Sequence, residues 1–313
     1  MLVGVAERDL STTILGRRRP PPLIVAPMAY QRLAHPDAEP GTAAAAAATK
    51  TIFTLSTLAT TAPPDVPREG TRWFQVYVFK DRGVSRALVD QAVEAGFEAL
   101  VLTVDLPVLG MREADHQLGW TLPADIGIPS VDAAGRTRGT APGAGEAGHG
   151  RGPMTVADTA ALLDPGLTWD DVAELASGPL PVLVKGVLRA DDARRAVDAG
   201  AAGVVVSNHG GRQVDGAVAS LDALPEVVEA APDHYPVLLD SGVRGGADVI
   251  KALALGACAV LLGRPYPWAL AAGGEAGVRH LLRSVLAELD LTLGLSGYRT
   301  PAELTPGALQ RMG

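Results

Sequence analysis

The sequence has a single cysteine, Cys258, which excludes an internal disulfide and any multi-cysteine metal site. That residue opens the apolar run Cys258-Ala259-Val260-Leu261-Leu262, where a thiol serves as a small buried hydrophobe and not as a nucleophile. There is no excess of basic charge. The 27 Lys and Arg against 35 Asp and Glu give a formal net charge of −8, which argues against a general nucleic-acid binder or an anionic-membrane binder. An anionic small substrate would have to be held by local arginines. No run approaches the roughly 18 apolar residues of a membrane span. The opening Met1-Leu2-Val3-Gly4-Val5-Ala6-Glu7-Arg8 brings acid and base too early for a secretory leader, so a cytoplasmic protein is expected. Aromatic residues are scarce at 4%, yet apolar residues reach 47%; the expected core is large and made of Val, Leu and Ala. His35, His116, His149, His234 and His280 show no paired ligand spacing, and no metal is expected. Glu113 and Asp115 beside Arg112 read as loop salt bridges.

What the chain does have is eight short apolar runs: Leu23–Pro27, Ile52–Ser56, Trp73–Tyr77, Ala99–Val104, Pro181–Gly186, Gly203–Asn208, Pro236–Asp240 and Cys258–Gly263. Each is continuous and not alternating, as expected of strands covered on both faces. Helical patterns separate most of them, at Val84–Ala95, Asp191–Ala199, Leu221–Ala231 and Gly246–Leu255. The pairs Ala95-Gly96, Ala199-Gly200 and Leu255-Gly256 read as helix ends. The helix between the second and third strands is poorly marked, because Pro63, Pro64 and Pro67 interrupt it. Eight β–α units predict an α/β fold: one (β/α)8 TIM barrel spanning residues 1–313 as a single domain. A long insertion after the fourth strand, about Pro107 to Pro165, is expected to form a mobile lid on the catalytic face. Within it Gly143-Ala144-Gly145-Glu146-Ala147-Gly148 matches a dinucleotide-binding pattern, but no strand precedes it and no helix follows, so the match carries nothing.

The chemistry concentrates in Ser207-Asn208-His209-Gly210-Gly211-Arg212-Gln213, directly after the sixth run. His209 offers an imidazole, a common general acid or base, Arg212 offers a fork suited to a carboxylate, and the glycines let a ligand approach the backbone. A surface turn is the plain alternative for this segment alone. The other strands also end in functional residue types: Pro27-Met28-Ala29, Ser56, Gln75 with Tyr77, Thr103 with Asp105 and then Arg112, Lys185, Asp240, and Gly263-Arg264. In a barrel these ends share one face.

Taken in order, Ala26-Pro27-Met28-Ala29-Tyr30, Trp73-Phe74-Gln75-Val76-Tyr77, Thr103-Val104-Asp105-Leu106-Pro107, Lys185-Gly186, Ser207 to Arg212 and Asp240-Ser241-Gly242-Val243-Arg244 resemble the FMN-dependent 2-hydroxy-acid oxidase and dehydrogenase family. That family includes glycolate oxidase, lactate oxidase and mandelate dehydrogenase, and the likeness, from about Asp9 to about Gly297, is greatest to the actinobacterial hydroxymandelate-oxidase branch. The resemblance implies FMN as cofactor, a small anionic 2-hydroxy acid as substrate, dioxygen as acceptor and a homo-oligomer, a tetramer in the family.

It further implies catalytic roles for His209 as base, Asp105 as its partner, Arg212 and Lys185. Tyr77, Arg112, Tyr30 and Leu58 would join His209 and Arg212 around the substrate. Pro27, Met28, Ala29, Ser56, Gln75, Thr103, Lys185 and Ser207 would hold the flavin ring, and Asp240, Gly242, Arg244, Gly263 and Arg264 the phosphate end. Leu58 stands where glycolate oxidases carry a tryptophan, and with Val108 and Leu109 it suggests an apolar pocket for an aryl or branched side chain. Asp240-Ser241-Gly242 replaces the more usual Asp-Gly-Gly. The family's usual amino-terminal segment, with a substrate-binding tyrosine, has no counterpart before Pro27. Two alternatives follow: a dehydrogenase using another acceptor, or a catalytically weak FMN-binding relative.

Overall fold

The computed structural model describes residues 3–113, 117–138 and 160–310. Runs of Val, Ile and Leu with no polar face must be covered on both sides, and all eight become strands: β3 (Leu23–Val25), β4 (Ile52–Leu55), β5 (Arg72–Val76), β6 (Leu100–Thr103), β7 (Val182–Val187), β8 (Gly203–Val206), β9 (Val237–Leu239) and β10 (Ala259–Leu262). Among the described residues they pair in parallel in chain order, and β10 returns to β3 to close the barrel.

The helices α1 (Ala38–Ala48), α2 (Arg82–Glu94), α3 (Pro129–Arg138), α4 (Trp169–Ala176), α5 (Ala190–Asp198), α6 (Ser220–Ala230), α7 (Gly246–Ala254) and α8 (Pro265–Leu295) lie along this order. Gly96, Gly200 and Gly256 end their helices with positive φ, as expected. Between β4 and β5 the prolines leave only a 3-10 turn, Pro63–Asp65.

Although both strand faces are apolar, the period of two still sorts them. Ile24, Ile52, Trp73, Val101, Leu183, Val205, Leu238 and Leu261 fill the barrel interior. Their neighbours Val25, Phe53, Phe74, Leu102, Val184, Val204, Leu239 and Val260 belong to the larger cluster shared with the helices. Two residues further along, the inward row becomes Ala26, Thr54, Gln75, Thr103, Lys185, Ser207, Asp240 and Gly263, because alternation along a strand is strict. The polar floor of the barrel mouth is thus set by register.

An element absent from the sequence reading closes the opposite end. β1 (Thr12–Ile14) and β2 (Arg17–Arg19) form an antiparallel hairpin around Leu15 and Gly16, at φ 51 and 70, the doubly positive turn that suits strand twist. It places the fully buried Ile14 in the interior cluster.

The insertion is partly structured. Helix α3 had no counterpart in the sequence reading, and Leu122, Ile126 and Ile128 are buried in a small cluster with Tyr30. The returning chain bridges Leu163 to Phe79, and Arg82 pairs with Asp164 at 2.8 Å and Asp171 at 2.7 Å. Residues 114–116 and 139–159 lie outside the described residues, and with them the expected mobility of the lid, the Gly143–Gly148 match, Asp115, His116 and His149. Among the described residues no helix is long and apolar enough to cross a membrane.

Candidate active site

A cavity of about 450 Å³ opens at the carboxyl ends of the strands. Pro27, Met28, Ala29 and Tyr30 line it after β3, Ser56 and Leu58 after β4, Gln75 and Tyr77 at β5, Thr103 and Arg112 at and after β6. Lys185 comes from β7, His209 and Arg212 from the loop after β8, Asp240, Gly242 and Arg244 from the end of β9, and Gly263 and Arg264 from the end of β10. Two expected site residues stand behind this wall. Asp105 backs His209, and Ser207, expected against the cofactor, is fully buried and acts on its neighbours instead. Its Oγ accepts from Lys185 Nζ at 3.0 Å and from the His209 amide at 3.0 Å.

Trp120 and Leu163 also line the cavity and were missed; Ser241, named in the sequence only as part of the loop after the seventh strand, lines it as well. Trp120 and Leu163 come from the insertion, which has no periodic pattern from which to place them. Val108, expected in the wall with Leu109, is instead 68% exposed; Leu109 does line the cavity.

His209 takes a left-handed backbone, φ 56, which turns its ring back to the barrel mouth. Its Nδ1 lies 2.7 Å from Asp105 Oδ1. Lys185 Nζ is 3.2 Å from Asp240 Oδ2 and 3.9 Å from Asp105 Oδ2. Burial works against the Lys185 charge, but Asp240 and Asp105 outweigh it and hold the ammonium above its ordinary pKa. Burial likewise works to raise the Asp105 carboxyl, and Lys185 and His209 outweigh it in the other direction, leaving it below the usual value. The Tyr77 hydroxyl is pushed well up, first by burial and then by the Asp105 charge, so it is a neutral donor at any working pH.

Local chain chemistry makes this cluster possible. Gly186 sits at φ 115 where the β7–β8 register shifts, and a Cβ there would stand 2.6 Å from the Asp105 Cβ. Only glycine lets Asp105 close on Lys185. From the other side Gln213 Nε2 donates to the Asp105 carbonyl at 2.8 Å and the Val108 carbonyl at 3.3 Å.

Two features describe what the cavity accepts. The Gln75 carboxamide oxygen takes bonds from Ser56 Oγ at 3.3 Å and the Thr57 amide at 3.1 Å, leaving its buried Nε2 without a partner among the described residues. Buried donors are ordinarily satisfied, so this one fits a planar acceptor on the barrel floor. At the ends of β9 and β10, ideal Cβ positions on Gly242 and Gly263 would meet no heavy atom within 4 Å. That open cradle beside Arg244 and Arg264 has the amide and guanidinium donors that an anion such as a phosphate requires.

The chain matches the FMN-dependent dehydrogenase family over residues 1–311. It is 49% identical over 305 residues to L-lactate oxidase of Nostoc sp., covering 95% of this chain and 81% of that protein. It is 46% identical over 308 residues to glycolate oxidase of Spinacia oleracea, covering 97% and 81%. The crystal structure of mandelate oxidase with (S)-4-hydroxymandelic acid aligns with a TM-score of 0.87 at 43% identity, covering 96% of this chain and 83% of that one.

Proposed function

The chain belongs to the FMN-dependent dehydrogenase family, and from that premise we propose that it oxidises a small 2-hydroxy carboxylate, mandelate- or lactate-like, to the 2-oxo acid. The observation that carries this reading is the 2.7 Å His209–Asp105 pair, with His209 on one cavity wall with Arg212 and Lys185. FMN, when bound, would supply the two-electron acceptor for this oxidation, with dioxygen as the final oxidant and hydrogen peroxide as its product. The relatives named as oxidases support dioxygen as the acceptor.

The chain's own residues do the rest. Asp105 occupies His209 Nδ1, so Nε2 is the atom that receives the proton of the substrate hydroxyl, whether that proton leaves before or with the C–H bond. The Asp105 carboxylate then balances the imidazolium. Arg212 and Arg112 grip the substrate carboxylate in bidentate fashion, and the neutral Tyr77 hydroxyl donates to it. Tyr30, Leu58 and Leu109, with Trp120, flank the substrate side chain. Pro27, Met28, Ala29, Ser56, Gln75 and Thr103 hold the isoalloxazine ring. Lys185 would face its N1–C2 edge, where a fixed cation would favour the reduced anion, and Asp240 and Ser207 hold that cation in place. Gly242, Arg244, Gly263 and Arg264 hold the phosphate. We read the protein as one cytoplasmic domain over residues 1–313, assembled as a homotetramer.

Anaerobic mixing with racemic mandelate, lactate and glycolate tests the reading. Bleaching of the oxidised flavin band is expected, with higher kcat/KM for mandelate than glycolate because the pocket wall is apolar. Hydrophobic pockets discriminate weakly, by about 1–3 kcal/mol per methylene-sized difference, so several acids should react. No bleaching with any of them would leave a weak flavin-binding relative. Bleaching followed by failure of oxygen to reoxidise the flavin at a useful rate would make it a dehydrogenase with another acceptor.

A further inference from the structure

Three non-glycine residues at the cavity hold left-handed backbone: Tyr30, His209 and Ser241. His209 owes its conformation to the chemistry it presents. Ser241, at φ 74, has no part in the reaction above, and a glycine at that position would carry no strain. Its side chain shows what the strain secures. Ser241 Oγ accepts the Gly210 amide at 2.9 Å and donates to Asp240 Oδ1 at 2.8 Å. The other Asp240 oxygen faces Lys185 Nζ at 3.2 Å, Lys185 donates to Ser207 Oγ at 3.0 Å, and Ser207 Oγ accepts the His209 amide at 3.0 Å.

The path therefore leaves the backbone at the Gly210 amide and returns to it one residue earlier, at the His209 amide, through side chains from three strand ends. Each bond in the ring runs in the direction its chemistry allows, with Ser207 Oγ accepting twice. Ser207 and Asn208 serve the amides of His209 and Gly211 from within the same loop. The Gly210 amide alone of these three is held from the neighbouring strand.

We propose that Ser241 is a positioning residue whose hydroxyl locks the Asp240 carboxylate and the His209–Gly210 peptide together, thereby setting how much of the Lys185 charge reaches the flavin edge. The proposal rests on the placement of FMN given above. With the hydroxyl in place, one Asp240 oxygen is committed to Ser241, and only the other neutralises Lys185. Without it, both oxygens turn to the strongest remaining donor, Lys185, whose field at the N1–C2 edge is then compensated more fully. The reduced flavin, and the sulfite adduct whose negative charge collects at the same edge, lose stabilisation.

Ser241→Ala removes the hydroxyl and keeps the strain; Ser241→Gly removes both. In the FMN-loaded protein, sulfite titration and flavin potentiometry are read for each, beside thermal melts. One net hydrogen bond corresponds to about a two- to tenfold change in an equilibrium constant. Both variants should bind sulfite more weakly by about that factor, with a lowered flavin potential, while Ser241→Gly melts above Ser241→Ala. Sulfite affinity that is unchanged or tighter in Ser241→Gly overturns the proposal whatever the melting temperatures do. Lys185→Met separates this from the underlying placement: if it leaves sulfite binding unchanged, the flavin edge is not at Lys185 and the reading of the site fails first.

Discussion

His209 and Asp105 share one strong hydrogen bond but depend on each other for different reasons, and their variants should differ accordingly. His209→Ala removes the proposed proton acceptor and leaves the proposed phosphate cradle and ring contacts intact. Flavin should stay bound while turnover falls by about two to four decades, the contribution of a positioned base. Release of the flavin, or near wild-type turnover, would show His209 to be structural. Asp105 should reveal itself through stability. Its carboxyl is held below the ordinary value because Lys185 and His209 favour the charged form against burial. A group lowered in this way contributes stability that is fully present above its unfolded pKa of about 4 and is lost as pH falls from there through the folded value. The urea-midpoint gap between wild type and Asp105→Asn should be widest near neutral pH and close below about pH 4. A gap independent of pH would mean that the charge is not what stabilises.

At the scale of elements, the mouth of the barrel is made by strand register and by loops pressed against each other. The loop after β6 meets the loop after β8 at Gly110, where a Cβ would lie 2.6 Å from the Arg212 carbonyl oxygen and 2.7 Å from Gln213 Cα. These are backbone atoms and cannot rotate aside. Gly110→Ala should therefore push the Arg212 segment outward at a cost of about 1–3 kcal/mol, the range for overpacking. The expected signature is a raised KM for the 2-hydroxy acid with flavin affinity little changed. A wild-type KM would mean that this contact does not set the Arg212 fork.

For the whole molecule, cofactor and fold are one equilibrium. The cavity draws lining residues from all eight strand ends or the loops after them, so FMN held there as proposed would tie the full circumference of the barrel, and unfolding would have to release it. Excess FMN at a hundred times Kd should add about 2.7 kcal/mol to the stability of the stripped protein. Arg264→Ala removes a charge-assisted donor from the proposed phosphate cradle, so its melting temperature should respond to FMN only at higher concentration. An identical FMN dependence in wild type and variant would remove Arg264 from the phosphate site. The net charge of −8 makes the local arginines the feature that admits an anionic substrate to an otherwise anionic molecule.

The eight-stranded architecture is legible in the sequence, because continuous apolar runs such as Gly203–Val206 can be stable only when covered on both sides, and eight of them with intervening helices close into a ring. The gathering of His209, Lys185, Tyr77 and Arg212 followed from the same logic, since residues at successive carboxyl ends of parallel strands must share a face. The hairpin at Thr12–Arg19 was not legible: two three-residue strands, one of them Arg17-Arg18-Arg19, carry no apolar run, and only the interior of the closed barrel gives Ile14 something to plug. Trp120 and Leu163 reach the cavity from an insertion without periodicity, so their placement is decided by what the segment packs on. Ser207 shows the same division within one residue. Its position at a strand end could be read from the sequence, but which side of the cavity wall it occupies depends on Lys185 and the His209 amide both donating to its oxygen. Local pattern determines which face of an element is buried; partners distant in sequence determine what each buried polar group holds.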